Sequence, residues 1–197
     1  MSDLRLETLT GAALRARLPD VVRLRAIVFR EWPYLYDAGP NEEERYLRHY
    51  ADGAGAAIVL AFAGQEAVGA ATCQPMVTTH GPVRAAFERR GLDPARYCYF
   101  GESVVLREHR GRGVGVGFFT QREAHARALG LEAAAFCSVI RNPHDPRRPP
   151  CHPSLDGFWR RRGFTHHPDL ACRMYWREVG DDRETPHMLS FWLKELR

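Results

Sequence analysis

A glycine-rich segment, residues 110–117, has the residue types of an anion-binding turn. It reads R-G-R-G-V-G-V-G, with four glycines at alternate positions between an apolar strand and a helix. The first N–H groups of a helix have no intrahelical partner and lie at the positive end of its dipole. Glycines let that backbone approach a phosphate closely, while Arg110 and Arg112 add positive charge. The segment therefore predicts a diphosphate cradle at the carboxyl end of a strand.

Two common nucleotide-binding motifs do not fit this segment. The P-loop motif requires Gly-Lys followed by Ser or Thr, and the only lysine of the chain is Lys194. The dinucleotide motif G-x-G-x-x-G fails from either possible start, because Val116 or Phe118 takes the place of the last glycine. The nearest acidic residue at a suitable distance, Glu132, falls at the start of the next strand instead of its end. Neither nucleotide class is supported by the sequence.

The cradle lies inside a predicted strand–helix–strand unit. Residues 97–106 and 131–140 are apolar strands, and the helix between them stops at Gly130. Strands joined in this way lie parallel with a right-handed crossover. On a helical wheel, the residues predicted to share one face are Val114, Phe118, Gln121, Ala124, His125, Ala128 and Leu129, and Phe119 needs a second contact.

The rest of the chain predicts further elements of both types. Strands are predicted over residues 4–9, 56–63, 66–73, 171–179 and 186–194. Helices are predicted over residues 20–30, over the segment capped by Asn41 with Glu44 as box partner, and over 82–90 and 154–162. The expected organisation is one domain over residues 1–197, with an insertion at about 74–96 and a proline-rich loop at about 142–153.

The composition excludes several classes of protein. The 197 residues are 45% hydrophobic and 26% charged, which is typical of globular chains and not of disordered or fibrous ones. No apolar run reaches the roughly 18 residues of a membrane span, and a formal charge of +4 is too small to indicate nucleic-acid binding. Five cysteines without a C-x-x-C pair argue against disulfides and zinc. With no signal peptide visible, we expect a cytoplasmic protein with no metal, no membrane and no nucleic-acid partner.

Two motifs in order give the chain a family resemblance. The first is Arg110-Gly111-Arg112-Gly113-Val114-Gly115 after the end of a strand, and the second is F-W-R-R-R-G-F over residues 158–164. Both resemble the motifs of the GNAT N-acetyltransferase family, and the order of elements is similar over nearly the whole chain. The resemblance implies an α/β (α+β) fold with a mixed sheet of about seven strands flanked by helices. Its two parallel strands would splay apart to admit acetyl-CoA.

The resemblance also implies the residues that bind acetyl-CoA. The backbone over residues 111–116 would hold the pyrophosphate, and the strand edge at Val104 and Val105 would bind the pantetheine arm as an added strand does. The cofactor-binding residues so implied are Val104, Val105, Arg110, Gly111, Arg112, Gly113, Val114, Gly115, Val116 and Asn142. Further candidates, for the ribose phosphate, are Arg147, Arg148 and Arg160.

Glu102 is the general base that the resemblance implies for direct acyl transfer. It lies three residues before Val105, where many family members carry an acid. The family's usual general acid is a tyrosine in the second motif, but that position is Trp159, whose indole cannot release a proton near neutral pH. The substitutes left open are Tyr97, Tyr99, Cys151, His152 and protonation by solvent.

Cys137 occupies a position where another branch of the family carries a carboxylate. The cysteine removes that alternative base. As a nucleophile it is a weak candidate, because nothing adjacent to it in the sequence would lower the pKa of its thiol.

The acceptor is expected to bind near an aromatic loop, residues 32–37. Trp32, Tyr34 and Tyr36 are the candidate walls of its pocket, and nearby acidic residues favour a cationic amine. The implied activity is transfer of the acetyl group to a primary amine of a small molecule or peptide. The alternative is a catalytically weak acyl-CoA sensor, for which the Trp159 replacement is the support. A homodimer remains an open expectation, since family members often pair through their last strands.

Overall fold

Seven strands form one mixed sheet in the computed structural model, which describes residues 4–37, 39, 47–48, 52–79 and 81–196. The strands are β1 (Leu4–Leu9), β2 (Ala57–Ala63), β3 (Glu66–Pro75), β4 (Tyr97–Val105), β5 (Ala133–Val139), β6 (Thr165–Arg177) and β7 (Glu184–Glu195). Their order across the sheet is β1-β2-β3-β4-β5-β7-β6. β4 and β5 are parallel, and the other neighbours pair antiparallel. This is the mixed architecture that the sequence predicts.

Helices cover both faces of this sheet. They are α1 (Gly11–Ala16), α2 (Leu18–Val28), α3 (Gly81–Arg89), α4 (Val114–Ala128) and α5 (Asp156–Arg161). Short 3₁₀ turns lie at Met76–Thr78, Pro94–Arg96 and Arg107–His109. Within the described residues, no helix has the length and apolar character needed to cross a membrane.

The structure corrects some of the predicted bounds. The helix predicted over 20–30 is α2, Leu18–Val28, and the sequence analysis missed α1, which begins at Gly11, a residue that usually weakens a helix prediction. β6 begins at Thr165 instead of residue 171, since a register shift between His167 and Ala171 carries this edge strand past Pro168. The predicted cap Asn41 and its partner Glu44 lie outside the described residues.

The parallel pair of strands separates soon after it forms. β4 pairs with β5 only at three positions, Tyr97–Tyr99 opposite residues 133–135. Beyond Tyr99 the two strands diverge, so β4 and β5 each leave an edge facing the gap. We call this gap the β4–β5 cleft, and it is the splay that the sequence predicts.

A bulge in β4 sets the orientation of the side chains beside the cleft. Ala71 stands opposite Ser103 and Cys73 opposite Phe100, so Gly101 and Glu102 share a single opposing residue, Thr72. Without the extra residue, positions 100 and 102 would point to the same face of the sheet. Instead, Phe100 packs against Phe119 of α4 while Glu102 pairs with Arg25 of α2.

The buried face of α4 differs from the predicted one. The helix buries Val114, Phe118, Phe119, Arg122 and Ala126, whereas Ala124, Ala128 and Leu129, placed on the core face by the wheel, are exposed. The second contact predicted for Phe119 is confirmed, because its ring packs against Phe136, Phe158 and Phe164. The face predicted by the helical wheel is wrong because α4 packs against both the sheet and α5, and because Arg122 turns inward over the bulge.

Replacing Gly101 with alanine should destabilise the fold. A Cβ atom at Gly101 would lie 2.5 Å from the Thr72 hydroxyl oxygen, which is buried and fixed by its own hydrogen bonds. Overpacking of this kind costs about 2 kcal/mol, which is a fall of roughly 4–8 °C in melting temperature. Gly81→Ala is the matched control, because nothing lies within 4 Å of its Cβ position. Equal melting temperatures for both variants would contradict this account of the bulge.

Candidate active site

The glycine cradle, residues 110–116, is open where the backbone turns into α4. Gly111 and Gly113 have φ angles of 74° and 82°, a left-handed conformation that favours glycine. No heavy atom of the described residues lies within 4 Å of the Cβ position at either glycine. The N–H of Gly117 donates to the carbonyl of Gly113, which opens the intrahelical ladder. The N–H groups of the preceding residues therefore lack an intrahelical acceptor and lie at the positive end of the helix dipole.

The other two glycines of the segment serve packing. A Cβ at Gly115 would lie 3.4 Å from the ring of Phe158 on α5, and one at Gly117 would collide with Leu6 of β1. These contacts let α4 approach both the sheet and α5 closely. The alternate glycines thus have two different physical causes, which the sequence pattern alone does not separate.

Arg110 ties the cradle to the end of β4. Its Nε donates to the carbonyl of Val105 at 2.8 Å, and its Nη1 lies 2.9 Å from Glu31. The charge of Arg110 is therefore shared with a carboxylate, and its side chain fixes the position of the turn. Arg112 instead lies beside His109, with 3.2 Å between Nη1 and Nδ1.

Within the described part of the chain, the edge of β4 that no strand pairs is formed by Ser103 and Val105. The N–H of Glu102 donates to Thr72 Oγ1, and that of Leu106 donates to Val68, both in β3. Because main-chain groups alternate along a strand, those of Ser103 and Val105 point the other way, into the cleft. Val104 points its main chain toward β3 and buries its side chain completely.

Glu102 lies at the bulge with both carboxylate oxygens engaged. Arg25 Nη1 donates to Oε1 and the Thr72 hydroxyl donates to Oε2, while that hydroxyl accepts the Glu102 N–H at 2.9 Å. The side chains of Glu102 and Arg25 are only 5% and 8% exposed. On the other face, Arg122 donates to the carbonyls of Thr72 and Glu102 at 3.4 and 3.3 Å. The bulge is therefore held by charged groups from both layers of helices.

Tyr34, Tyr99 and Cys137 lie on the same side of the cleft as Glu102. The Tyr99 hydroxyl is 3.2 Å from the Cys137 sulfur. Burial raises the pKa of the Tyr34 phenol, and the nearby Cys137 and Glu102 raise it further. The four side chains come from two strands and the aromatic loop. Sequence analysis named Glu102 as the base, Tyr34 as a wall residue, Tyr99 as one open substitute for the general acid, and Cys137 only as a weak nucleophile.

The environment of Cys137 corrects one expectation. Hydrogen bonding from Cys172 and from Tyr99 lowers the pKa of Cys137, although its partial burial opposes this shift. Cys172 lies on β6, separated from β5 by β7. The expectation that nothing would lower this pKa is wrong because it considered only neighbours in the sequence.

Arg141 holds the aromatic loop in place. Its guanidinium donates to the carbonyls of Pro33 and Tyr34 and to Glu178, and it lies 5.5 Å from the Trp32 ring centroid. The rings of Tyr34 and Tyr36 pack against Trp176. Trp32 points the other way, toward His152 of the proline-rich loop, with 6.5 Å between ring centroids. The three predicted wall residues therefore line two different places.

The remaining candidates have identifiable contacts. Asn142 is exposed, and its side-chain oxygen accepts the N–H of His144 at 2.9 Å. Trp159 packs against Phe136 and Trp192 at 5.1 and 5.0 Å between ring centroids. Each of the three arginines proposed for the ribose phosphate already has a partner. Arg147 pairs with Asp145 and Glu178, Arg148 donates to the Pro143 carbonyl, and Arg160 pairs with Asp156. Among the described residues, no group of three or more His, Cys, Asp or Glu side chains has the arrangement of a metal site.

Arg141 belongs to a charge network centred on the buried Glu178, which also contacts Arg147 and His187. Burial raises the pKa of Glu178, but hydrogen bonds from Arg141 and Arg147 outweigh it, so the net pKa is lowered. Burial also lowers the pKa of His187, whose ring stacks on Trp176 with 3.7 Å between centroids. The folded state therefore favours an ionised Glu178 and a neutral His187.

Acidification should weaken this network in two steps. Because folded His187 binds a proton less readily than the unfolded chain, stability should fall as the pH drops below about 6.5. The second loss, from protonation of Glu178, begins below about pH 4.5. His187→Gln should reduce the decline in melting temperature between pH 7 and 5, at a cost of about 1 kcal/mol from lost stacking. His144→Gln, an exposed control in the proline-rich loop, should leave the slope unchanged; an unchanged slope in the His187 variant would refute the assignment.

Comparison with known proteins agrees with this geometry. The profile of the acetyltransferase (GNAT) family matches residues 21–148. No protein of curated function matches the sequence. Solved structures with the same fold include a ribosomal-protein-alanine N-acetyltransferase from Brucella melitensis, with a TM-score of 0.63 and 14% identity over 98% of this chain and 99% of that one.

Two further structures show the same fold over their whole length. An acetyltransferase from Thermus thermophilus has a TM-score of 0.59 and 17% identity, and covers 100% of both chains. An N-acetyltransferase from Staphylococcus aureus has a TM-score of 0.60 and 13% identity, again over 100% of both chains. Because the family profile spans more than half of the 197 residues and falls on the cleft and cradle described above, this chain belongs to the GNAT acetyltransferase family.

Proposed function

We propose that this protein transfers the acetyl group of acetyl-CoA directly to a primary amine of a small molecule or peptide. The observation that carries the proposal is the continuous path from a buried carboxylate to an anion cradle. Glu102 lies at one end of the free β4 edge, and the open turn at Gly111 and Gly113 lies at the other. An extended ligand with a diphosphate at one end and a reactive group at the other fits this path.

The cradle supports the diphosphate part of this proposal. Among the described residues, no heavy atom lies within 4 Å of the Cβ positions at Gly111 and Gly113, and side chains there would cover the exposed backbone of the turn. The N–H groups of the first turn of α4, at Val114, Gly115 and Val116, would hold the diphosphate. Arg110 and Arg112 would contribute by fixing the turn and by adding positive charge.

The strand edge supports the binding of the pantetheine arm. Main-chain groups of Ser103 and Val105 face the cleft and are suited to bond an amide-bearing chain as an added strand. Val105 offers its N–H there, since Arg110 already donates to its carbonyl. Val104 would contribute indirectly, because its buried side chain anchors the strand whose edge binds the ligand. Asn142 would lie at the exposed end of the cleft.

Glu102 is the general base in this proposal. When bound, acetyl-CoA supplies an acyl group activated as a thioester. Each carboxylate oxygen has a second lone pair, so Glu102 can accept a hydrogen bond from a water molecule while it keeps Arg25 and Thr72. That water would take the proton of the incoming ammonium.

Among the residues that the structure describes, the acceptor side is aromatic and includes the carboxylate of Glu102. Tyr34, Tyr36 and Trp176 form a packed wall beside Glu102, and Trp32 closes the side toward the proline-rich loop. The family membership and the names of the N-acetyltransferases with this fold support an amine as acceptor. The sensor alternative has less support, because packing against Phe136 and Trp192 accounts for Trp159.

Coenzyme A binding can be measured without knowledge of the acceptor. At 100 times its dissociation constant, coenzyme A should stabilise the fold by about 2.7 kcal/mol, which is a melting shift of roughly 5–10 °C. Gly113→Val should abolish the shift, because the side chain fills the cradle. Gly130→Val is the matched control, with a φ of 73° and equally open space at the far end of α4. A shift that survives in the Gly113 variant, or none in the native protein, would contradict the proposed cradle.

Glu102→Gln should slow turnover without loss of coenzyme binding. Removing a general base lowers kcat by about 100-fold or more, and the pH–rate profile should lose its acidic limb. Turnover is measured as release of the coenzyme A thiol with a panel of amines, amino acids and peptides. Glu123→Gln, which removes a carboxylate paired with Lys194, is the control and should leave kcat near the native value. Native kcat and pH profile in the Glu102 variant would exclude it as the base.

A further inference from the structure

Thioester cleavage leaves a thiolate, and the position expected to protonate it carries no acid. Trp159 is an indole with no proton to give near neutral pH. Its ring packs on Phe136, which neighbours Cys137 along β5. Because successive residues of a strand point to opposite faces, Trp159 and Cys137 lie on opposite sides of β5.

Cys137 lies where the cleft opens. The last parallel pair joins Tyr99 to Ala135, and Cys137 is the next residue of β5 with the same orientation. Its thiol is partly exposed, whereas Cys73, Cys98 and Cys172 are buried. A ligand that runs from the cradle back along Val105 and Ser103 ends at this point, between the two strands.

The titratable groups that act on Cys137 come from β4, β6 and the aromatic loop, while its paired neighbour on β7 is the apolar Phe191. Tyr99 and Glu102 belong to β4, Cys172 to β6, and Tyr34 to the aromatic loop. Cys172 and Tyr99 donate to the sulfur and stabilise its thiolate form, and the nearby charge of Glu102, which opposes it, is paired with Arg25. The thiol is therefore a better proton donor than an ordinary cysteine, whose pKa is about 8.5.

We propose that Cys137 donates the proton taken up by the departing coenzyme thiolate. This rests on the proposed acetyl transfer and adds to it the general acid that Trp159 cannot supply. Tyr99 acts as a positioning residue, since its hydroxyl lies 3.2 Å from the Cys137 sulfur and does not contact the reacting atoms.

The proton balance closes with groups already present. As the amide bond forms, the C–S bond breaks with its electron pair on sulfur, and Cys137 gives its proton to that sulfur. The ammonium loses two protons in becoming an amide. One leaves to solvent, and the other restores the Cys137 thiol through water. No redox step or covalent enzyme intermediate is needed.

Three variants separate this role from a structural one. Cys137→Ala should lower kcat at least tenfold, leave the coenzyme-induced melting shift unchanged, and remove the alkaline limb of the pH–rate profile. Cys137→Ser keeps a weaker donor and should shift that limb to higher pH. Cys151→Ala, which removes the exposed thiol that the sequence left open as a donor, tests the competing assignment, and a native kcat is expected. Glu123→Gln again serves as the control and should behave as native. Release of the coenzyme thiol is followed with the best amine of the panel or with water as acceptor.

A second readout does not depend on turnover. Coenzyme A should protect Cys137 from alkylation by iodoacetamide at least tenfold, as measured by mass spectrometry, while Cys151 in the same sample stays reactive. Native kcat in Cys137→Ala, no protection by the coenzyme, or loss of the alkaline limb in His152→Gln instead would each overturn the proposal. Acetylated Cys137 after incubation with acetyl-CoA would also overturn it, in favour of a covalent mechanism. If native protein shows no melting shift, the proposed function itself fails; if the shift persists and only these results fail, the assignment of Cys137 alone is wrong.

Discussion

The fold around the cleft depends on one irregularity, the bulge at which Gly101 and Glu102 oppose Thr72. The extra residue leaves a main-chain N–H without a ladder partner, and the Thr72 hydroxyl accepts it. The same hydroxyl donates to the carboxylate that the bulge turns toward α2. Arg25 on one face and Arg122 on the other hold this arrangement. Burying three charged groups is costly unless each is bonded. A Cβ at Gly101 would collide with the Thr72 hydroxyl on which this bonding depends.

The bulge also places the reactive groups relative to the cradle. Because it rotates Glu102 to the acceptor side, the following residues Ser103 and Val105 present their main chain to the gap between β4 and β5. The edge then continues into a turn that Arg110 fastens to the strand. On the opposite wall, Arg141 fixes the aromatic loop against β6. A coenzyme thioester and an amine would thus meet at the point where β4 and β5 separate.

Local signals in the sequence predicted much of the fold but only part of the site. Alternating apolar residues and helix-ending glycines identify the strands and the cradle, because both depend on neighbours in the chain. Three features of the site depend on contacts between distant segments. They are the bulge, the inward turn of Arg122, and the effect of Cys172 on the Cys137 thiol. Such contacts appear only after the sheet order is known, since β7 lies between the strands that carry the two cysteines. The one feature of the sequence that indicated such a contact was Arg122, a charged residue in an otherwise amphipathic helix.

The most direct test of the central claim is a crystal structure of the protein with coenzyme A. The account predicts the diphosphate against the N–H groups of the first turn of α4, the pantetheine arm along Ser103 and Val105, and the sulfur within hydrogen-bond reach of Cys137. Electron density for the coenzyme at another surface, or a cradle closed by a segment of the chain, would contradict it.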